Sequence, residues 1–100
     1  MNDLQKLFIN ELRDIYDAEQ QIIKALPKMS ELAESEELRE GFNLHLAQTE
    51  NQVRRLEEVF RLVGESPKRE SCAAMEGIID EGEQLADDFE DTAALDAALI

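Results

Sequence analysis

Polar side chains matter most where they interrupt an apolar face. At about 100° per residue, Glu19 falls about 40° from Ile15, inside a stripe that includes Leu12 and Ile22. An ionised carboxylate there is costly unless it is paired, hydrogen-bonded or bound to a cation. A second helical stripe, centred on Thr49, places His45 about 40° and Gln52 about 60° from its middle, with Glu50 at the margin near about 100°. A turn near Ser35 sets Glu19 level with Thr49, Glu50 and Gln52, with His45 about one turn closer to the loop. Carboxylate, imidazole and amide groups between two helices are the materials of a bundle-core metal site. Glu19, Gln52, Glu50 and His45 are therefore the candidate ligands, and iron or another divalent metal is the candidate cofactor.

Each has a plainer reading. Glu19 pairs with a Lys or Arg, or faces water. His45 is a hydrogen-bonded or surface histidine, Gln52 a hydrogen-bonding amide, and Glu50 solvated. Thr49 bonds a backbone carbonyl one turn back. Phosphate-loop, dinucleotide, serine-hydrolase and His-Glu-x-x-His patterns are absent, so no catalytic assignment follows.

The elements that would position these groups follow from periodicity. Leu4, Phe8, Leu12, Ile15, Ile22, Leu26 and Met29 recur at three and four residues, which predicts helix one over 1–34, capped by Asn2 or Asp3. Pro27 is expected to kink or divide it. Ser35 followed by Glu36 and Glu37 restarts the chain as helix two, over 35–64. Its stripe is Leu38, Phe42, Leu46, Val53, Leu56, Phe60 and Val63, and Gly64 with Pro67 is its stop signal. The remainder predicts a shorter helix over 71–90, weakened by Gly77 and Gly82, and the start of a further helix over 92–100, capped by Asp91-Thr92. The architecture is all-α, an antiparallel helical hairpin within a single domain.

Composition bounds the function. The 100 residues carry 24 Asp and Glu against 10 Lys and Arg, a net charge of −14. Such a chain is unsuited to nucleic acid or to an anionic membrane surface. Neither an apolar run of about 20 residues nor a signal-peptide pattern occurs, so a cytoplasmic location is expected. The single cysteine, Cys72, excludes an internal disulfide. An acidic nucleic-acid mimic is a minor alternative that rests on net charge alone and fails if the charge is evenly spread.

Three blocks carry a family resemblance. Leu7-Phe8 with Glu11-Leu12-Arg13-Asp14-Ile15-Tyr16-Asp17-Ala18-Glu19-Gln20-Gln21, continued by Ala25-Leu26-Pro27-Lys28-Met29, resembles the opening helix of the YciF/YciE-like (DUF892) ferritin-like stress proteins. His45-Leu46 with Thr49 and Gln52, then Val53-x-Arg55-Leu56-Glu57, is similar to that family's second helix, and Cys72-x-Ala74-Met75-Glu76-Gly77 to its mid-chain block. The resemblance covers nearly the whole chain. It implies a ferritin-like four-helix bundle and a role in stress response, with Glu19 matching the first-helix metal ligand. It also implies that the sequence stops as the third bundle helix begins, without the third- and fourth-helix carboxylates. Gln52 stands where a second-helix Glu is expected and Arg55 where a His is expected. An amide lowers the charge of a site, and a guanidinium does not ligate.

Two hairpin helices cannot cover Phe8, Ile15, Phe42, Leu56 and Phe60 between them. Either the tail helices fold back over the hairpin, or copies pair to rebuild a four-helix bundle. A homodimer or higher homo-oligomer is the expected form. Two functions compete: a ferritin-like stress protein binding metal around Glu19, and a metal-free structural or interaction bundle.

Overall fold

The computed structural model describes residues 2–100. Four helices follow in order: α1 Asp3–Leu32, α2 Glu36–Leu62, α3 Ala73–Asp88 and α4 Leu95–Leu99. No strand occurs among the described residues.

Local chemistry fixes the ends of the two long helices. Asn2 caps α1: its side chain accepts the Gln5 N–H and the Gln5 side chain accepts the Asn2 N–H, each at 2.9 Å, a reciprocal capping box. Ser35 caps α2 by accepting the Leu38 N–H at 3.3 Å, and Glu36 and Glu37 lie at the positive end of the helix dipole. Gly64 closes α2 with φ 77°, a left-handed conformation that strains any residue with a Cβ. There the Gly64 N–H reaches the Arg61 carbonyl at 3.1 Å and the Glu65 N–H reaches the Phe60 carbonyl at 2.9 Å, the paired bonds of a Schellman motif.

Pro27 does not divide α1, which runs unbroken to Leu32. A proline in mid-helix forfeits one backbone bond. Packing on both sides of it offsets that loss: Leu26 is buried, and Ile22, Met29 and Leu32 pack on the same cluster as Leu38, Phe42 and Leu46 of α2.

The core is split in two. Near the turn, Leu26, Ala33 and Phe42 pack with Ala86 of α3 and with Leu95 and Leu99 of α4. Toward the open end, Leu12, Tyr16, Val53 and Phe60 form a second cluster. Phe60 is fully buried, with its ring edge-on to Tyr16 at 5.4 Å between centroids and 72° between planes. The tail thus folds back over the turn half alone. Phe8 and Ile15, expected in the core, are each 48% exposed, and Ile9 and Tyr16 are buried instead. The α1 stripe is wider than α2 can cover, so its far edge has no cover among residues 2–100. The molecule measures 53 × 23 × 15 Å, and its least dimension is little more than the thickness of one helix.

Two carboxylates tie the tail down. Asp17 of α1 holds the start of α3, and Asp96 of α4 accepts the Glu34 and Ser35 N–H groups, each at 2.8 Å, across the α1–α2 turn. α4 starts at Leu95, later than Asp91-Thr92 suggests. Asp91 takes φ 60° and the Thr92 hydroxyl donates to the Phe89 carbonyl at 2.6 Å, so this pair builds the turn between α3 and α4.

Candidate metal centre around Glu19

Glu19 is half-buried on the inner side of α1. One of its oxygens, Oε2, is sealed from solvent and has no hydrogen-bond partner. Burial pushes its pKa up, and the nearby His45 opposes that by favouring the charged form. Neither the Lys/Arg partner nor the solvated setting of the plainer reading is what this oxygen has.

Of the other candidate ligands, His45 lies close enough to favour the Glu19 charge. His45, Glu50 and Gln52 are all exposed on α2. The residue that fills the α2 stripe at this level is Thr49, fully buried, with its hydroxyl donating to the His45 carbonyl at 2.8 Å. This is the one-turn-back bond expected of a buried helical threonine. Angular position on a helix is not burial: α2 turns Thr49 and Val53 toward α1, which leaves the 40–60° flanks at His45 and Gln52 open. Among the described residues, no group of three or more His, Cys, Asp or Glu side chains is placed to hold a metal ion. Residues 2–100 supply one inward carboxylate with an adjacent imidazole, which is less than a ligand set for a divalent ion.

The strongest polar constellation lies two residues earlier, at Asp17. Its buried carboxylate accepts the Cys72 N–H at 2.7 Å, the Arg69 Nε–H at 2.8 Å and the Gln21 amide at 2.7 Å. Gln21 also donates to the Cys72 carbonyl at 3.3 Å. Burial alone would raise the Asp17 pKa, but the Cys72 N–H, the Gln21 amide and the Arg69 guanidinium together hold it below the ordinary range. The segment before α3 is further pinned by the Glu70 N–H to the Arg13 carbonyl at 3.2 Å, and Arg13 pairs with Glu65 at 3.6 Å. Sequence reasoning passed over Asp17 because, at about 100° per residue, it lies about 160° from Ile15, on the face away from the expected apolar stripe. The available signal was the Asp17/Gln21 spacing of four with a cationic pair, Lys68-Arg69, just ahead of a helix that lacks a Ser, Thr, Asp or Asn cap. Farther along the seam, the Tyr16 hydroxyl donates to Glu57 at 3.0 Å, and burial with that carboxylate raises the phenol's pKa.

This arrangement is one of packing and latching. Residues 3–100 match the family described as a domain of unknown function, DUF892. The chain is 36% identical over 101 residues to Protein YciF of Escherichia coli strain K12, covering all of this chain and 61% of that protein. Two solved structures superpose closely. YcfI of Rhodopseudomonas palustris, described as a candidate structural protein, matches with a TM-score of 0.94 at 43% identity, over 98% of this chain and 62% of that one. The Escherichia coli stress protein YciF matches with a TM-score of 0.86 at 33% identity, over 99% and 63%. The chain thus spans about three fifths of the length of these relatives.

Proposed function

The chain belongs to the DUF892 family, and from that premise we propose that it is a stress-response scaffold, a ferritin-like helical layer that works by association and not by turnover. The observation that carries this reading is the unpaired far edge of α1. Leu4, Leu7, Phe8 and Ile15 are exposed along one stretch of helix, beside a layer only 15 Å deep. Exposed apolar area of this kind marks a surface built for further helices. The structural description of the Rhodopseudomonas relative and the stress description of the Escherichia coli one support the same reading.

A second reading is favoured by Glu19 Oε2, which is buried without a partner beside His45. In it, Glu19 is one ligand of a cation, iron in the ferritin-like case, whose remaining ligands come from helices of a completed bundle.

Native mass spectrometry of protein purified without chelator separates the two. The scaffold reading expects an assembly of defined copy number without stoichiometric metal. Whole-number metal that disappears in Glu19→Ala overturns it in favour of the cation reading.

A further inference from the structure

The charge of the molecule is segregated along its length. Residues 18–51 and 73–100, the half around the turn, hold 16 of the 24 Asp and Glu and 3 of the 10 Lys and Arg, a net −13; the rest of the chain nets −1. α3 contributes six of those acids and no cation.

The same half contains an apolar cleft of about 320 Å³ between α1, α3 and α4. Met29, Leu32, Ile79 and Leu99 line its floor, and the α3 rim carries Glu81, Glu83 and Asp87, all exposed. Lys28 stands on the α1 rim, paired with Glu83 at 3.9 Å. Ile78, 63% exposed, and Leu85, 44% exposed, extend the apolar surface outward along α3. Gly82 lines the cleft, and a Cβ there would meet nothing within 4 Å.

We propose that this cleft docks a basic amphipathic helix of another protein. Aliphatic side chains at i and i+3 or i+4 on that helix enter the cleft, and flanking Lys or Arg residues meet Glu81, Glu83 and Asp87. Charge selects this occupant. A fatty-acid carboxylate or a nucleic-acid phosphate would approach a net −13, whereas a neutral apolar molecule would leave the acidic rim unused. The volume is at the low end for a small-molecule pocket and has room for a few aliphatic side chains, which suits anchor residues of a helix lying across the opening. The proposal deepens the scaffold reading by naming the class of partner, and it uses a surface distinct from the Phe8–Ile15 edge.

The test is fluorescence anisotropy of the 100-residue chain with a labelled Leu/Lys amphipathic peptide of about 18 residues, five helical turns. Binding is expected with a Kd on the order of 10 μM, weakening as salt is added. A scrambled peptide of the same composition is expected to bind at least tenfold more weakly. Gly82→Leu fills the cleft while replacing a poor helix former with a good one, so circular dichroism should show α3 retained or lengthened as affinity falls at least tenfold. Glu81→Lys with Glu83→Lys should produce a similar loss at low salt. Equal binding of the scrambled peptide, or unchanged binding by folded Gly82→Leu, overturns the proposal. So does the absence of peptide binding together with self-association that Gly82→Leu abolishes, which assigns the cleft to a second copy. Failure of the peptide with a metal-free chain removes this docking site alone, whereas stoichiometric metal removes the scaffold reading whether or not the peptide binds.

Discussion

The Asp17 carboxylate accepts the backbone N–H of Cys72 at 2.7 Å, across 55 residues of sequence. This bond joins the middle of α1 to the residue that precedes α3, where Cys72 itself offers the helix no side-chain cap. From there α3 runs alongside α1 in the same direction, since Glu83 meets Lys28 eleven residues farther along each helix. This carboxylate anchors the root from which the tail returns over the hairpin.

Removing that carboxylate should free the tail's root. Asp17→Ala leaves the Cys72 N–H and the Arg69 guanidinium without their acceptor, and a loss of about 1–3 kcal/mol is expected. Arg69 is half-exposed, so its ion pair adds little to that figure. Urea unfolding reads the loss, and amide exchange at Cys72 should accelerate more than exchange within α2. A midpoint equal to the parent's would show that the latch contributes nothing.

The pH dependence of stability should carry two opposed signatures. The folded pKa of Asp17 lies below its unfolded value, so its contribution is complete above about pH 3.9 and is lost as pH falls through the lower folded value. The folded pKa of Glu19 lies above its unfolded value, so its ionisation is a cost, fully present once pH exceeds the folded pKa and relieved as pH falls toward about 4.3. Stability should therefore rise slightly on mild acidification from neutrality and fall steeply below it. In Glu19→Gln the rise should vanish and the fall remain. A rise that persists in that variant assigns it to other carboxylates of this acidic chain.

Glu19→Met places an apolar side chain where an oxygen is now buried without a partner. A gain of about 1 kcal/mol at neutral pH is expected, the low end of what an unpaired buried polar group costs. Thermal unfolding in chelator measures it. A loss of stability would mean that the carboxylate is satisfied in solution.

Asp96→Ala removes the acceptor shared by the Glu34 and Ser35 N–H groups. The expected cost is about 1 kcal/mol, comparable to loss of a helix cap. Exchange at those two amides should quicken, and α4 should lose its hold on the turn. Gly64→Ala should cost a similar amount, about 1 kcal/mol, because φ 77° excludes a Cβ without strain.

The two long helices were legible because their evidence is local. The stripe spacing, Ser35 with two acids behind it, and Gly64 before Pro67 each act within one or two helical turns. Thr49 was legible for the same reason, since its partner is the carbonyl one turn back. Membership of the DUF892 family was carried by blocks of contiguous residues from Leu7 to Gly77.

What the sequence could not supply was which part of each stripe would find a partner. Ile15 lies on the expected stripe and Tyr16 about 100° off it, yet Ile15 is 48% exposed and Tyr16 is buried against Phe60. The rotation of α1 against α2 decides that, and it also leaves His45 and Gln52 outside while Glu19 turns in. Pro27 likewise does not end the helix: α1 continues through it, with apolar packing on both sides. Asp17 and Asp96 became latches only when residues 55 to 62 positions away came to lie beside them. A pattern of residues fixes what each turn of helix prefers, whereas burial and hydrogen bonding across the hairpin are settled by how the helices rotate and pack.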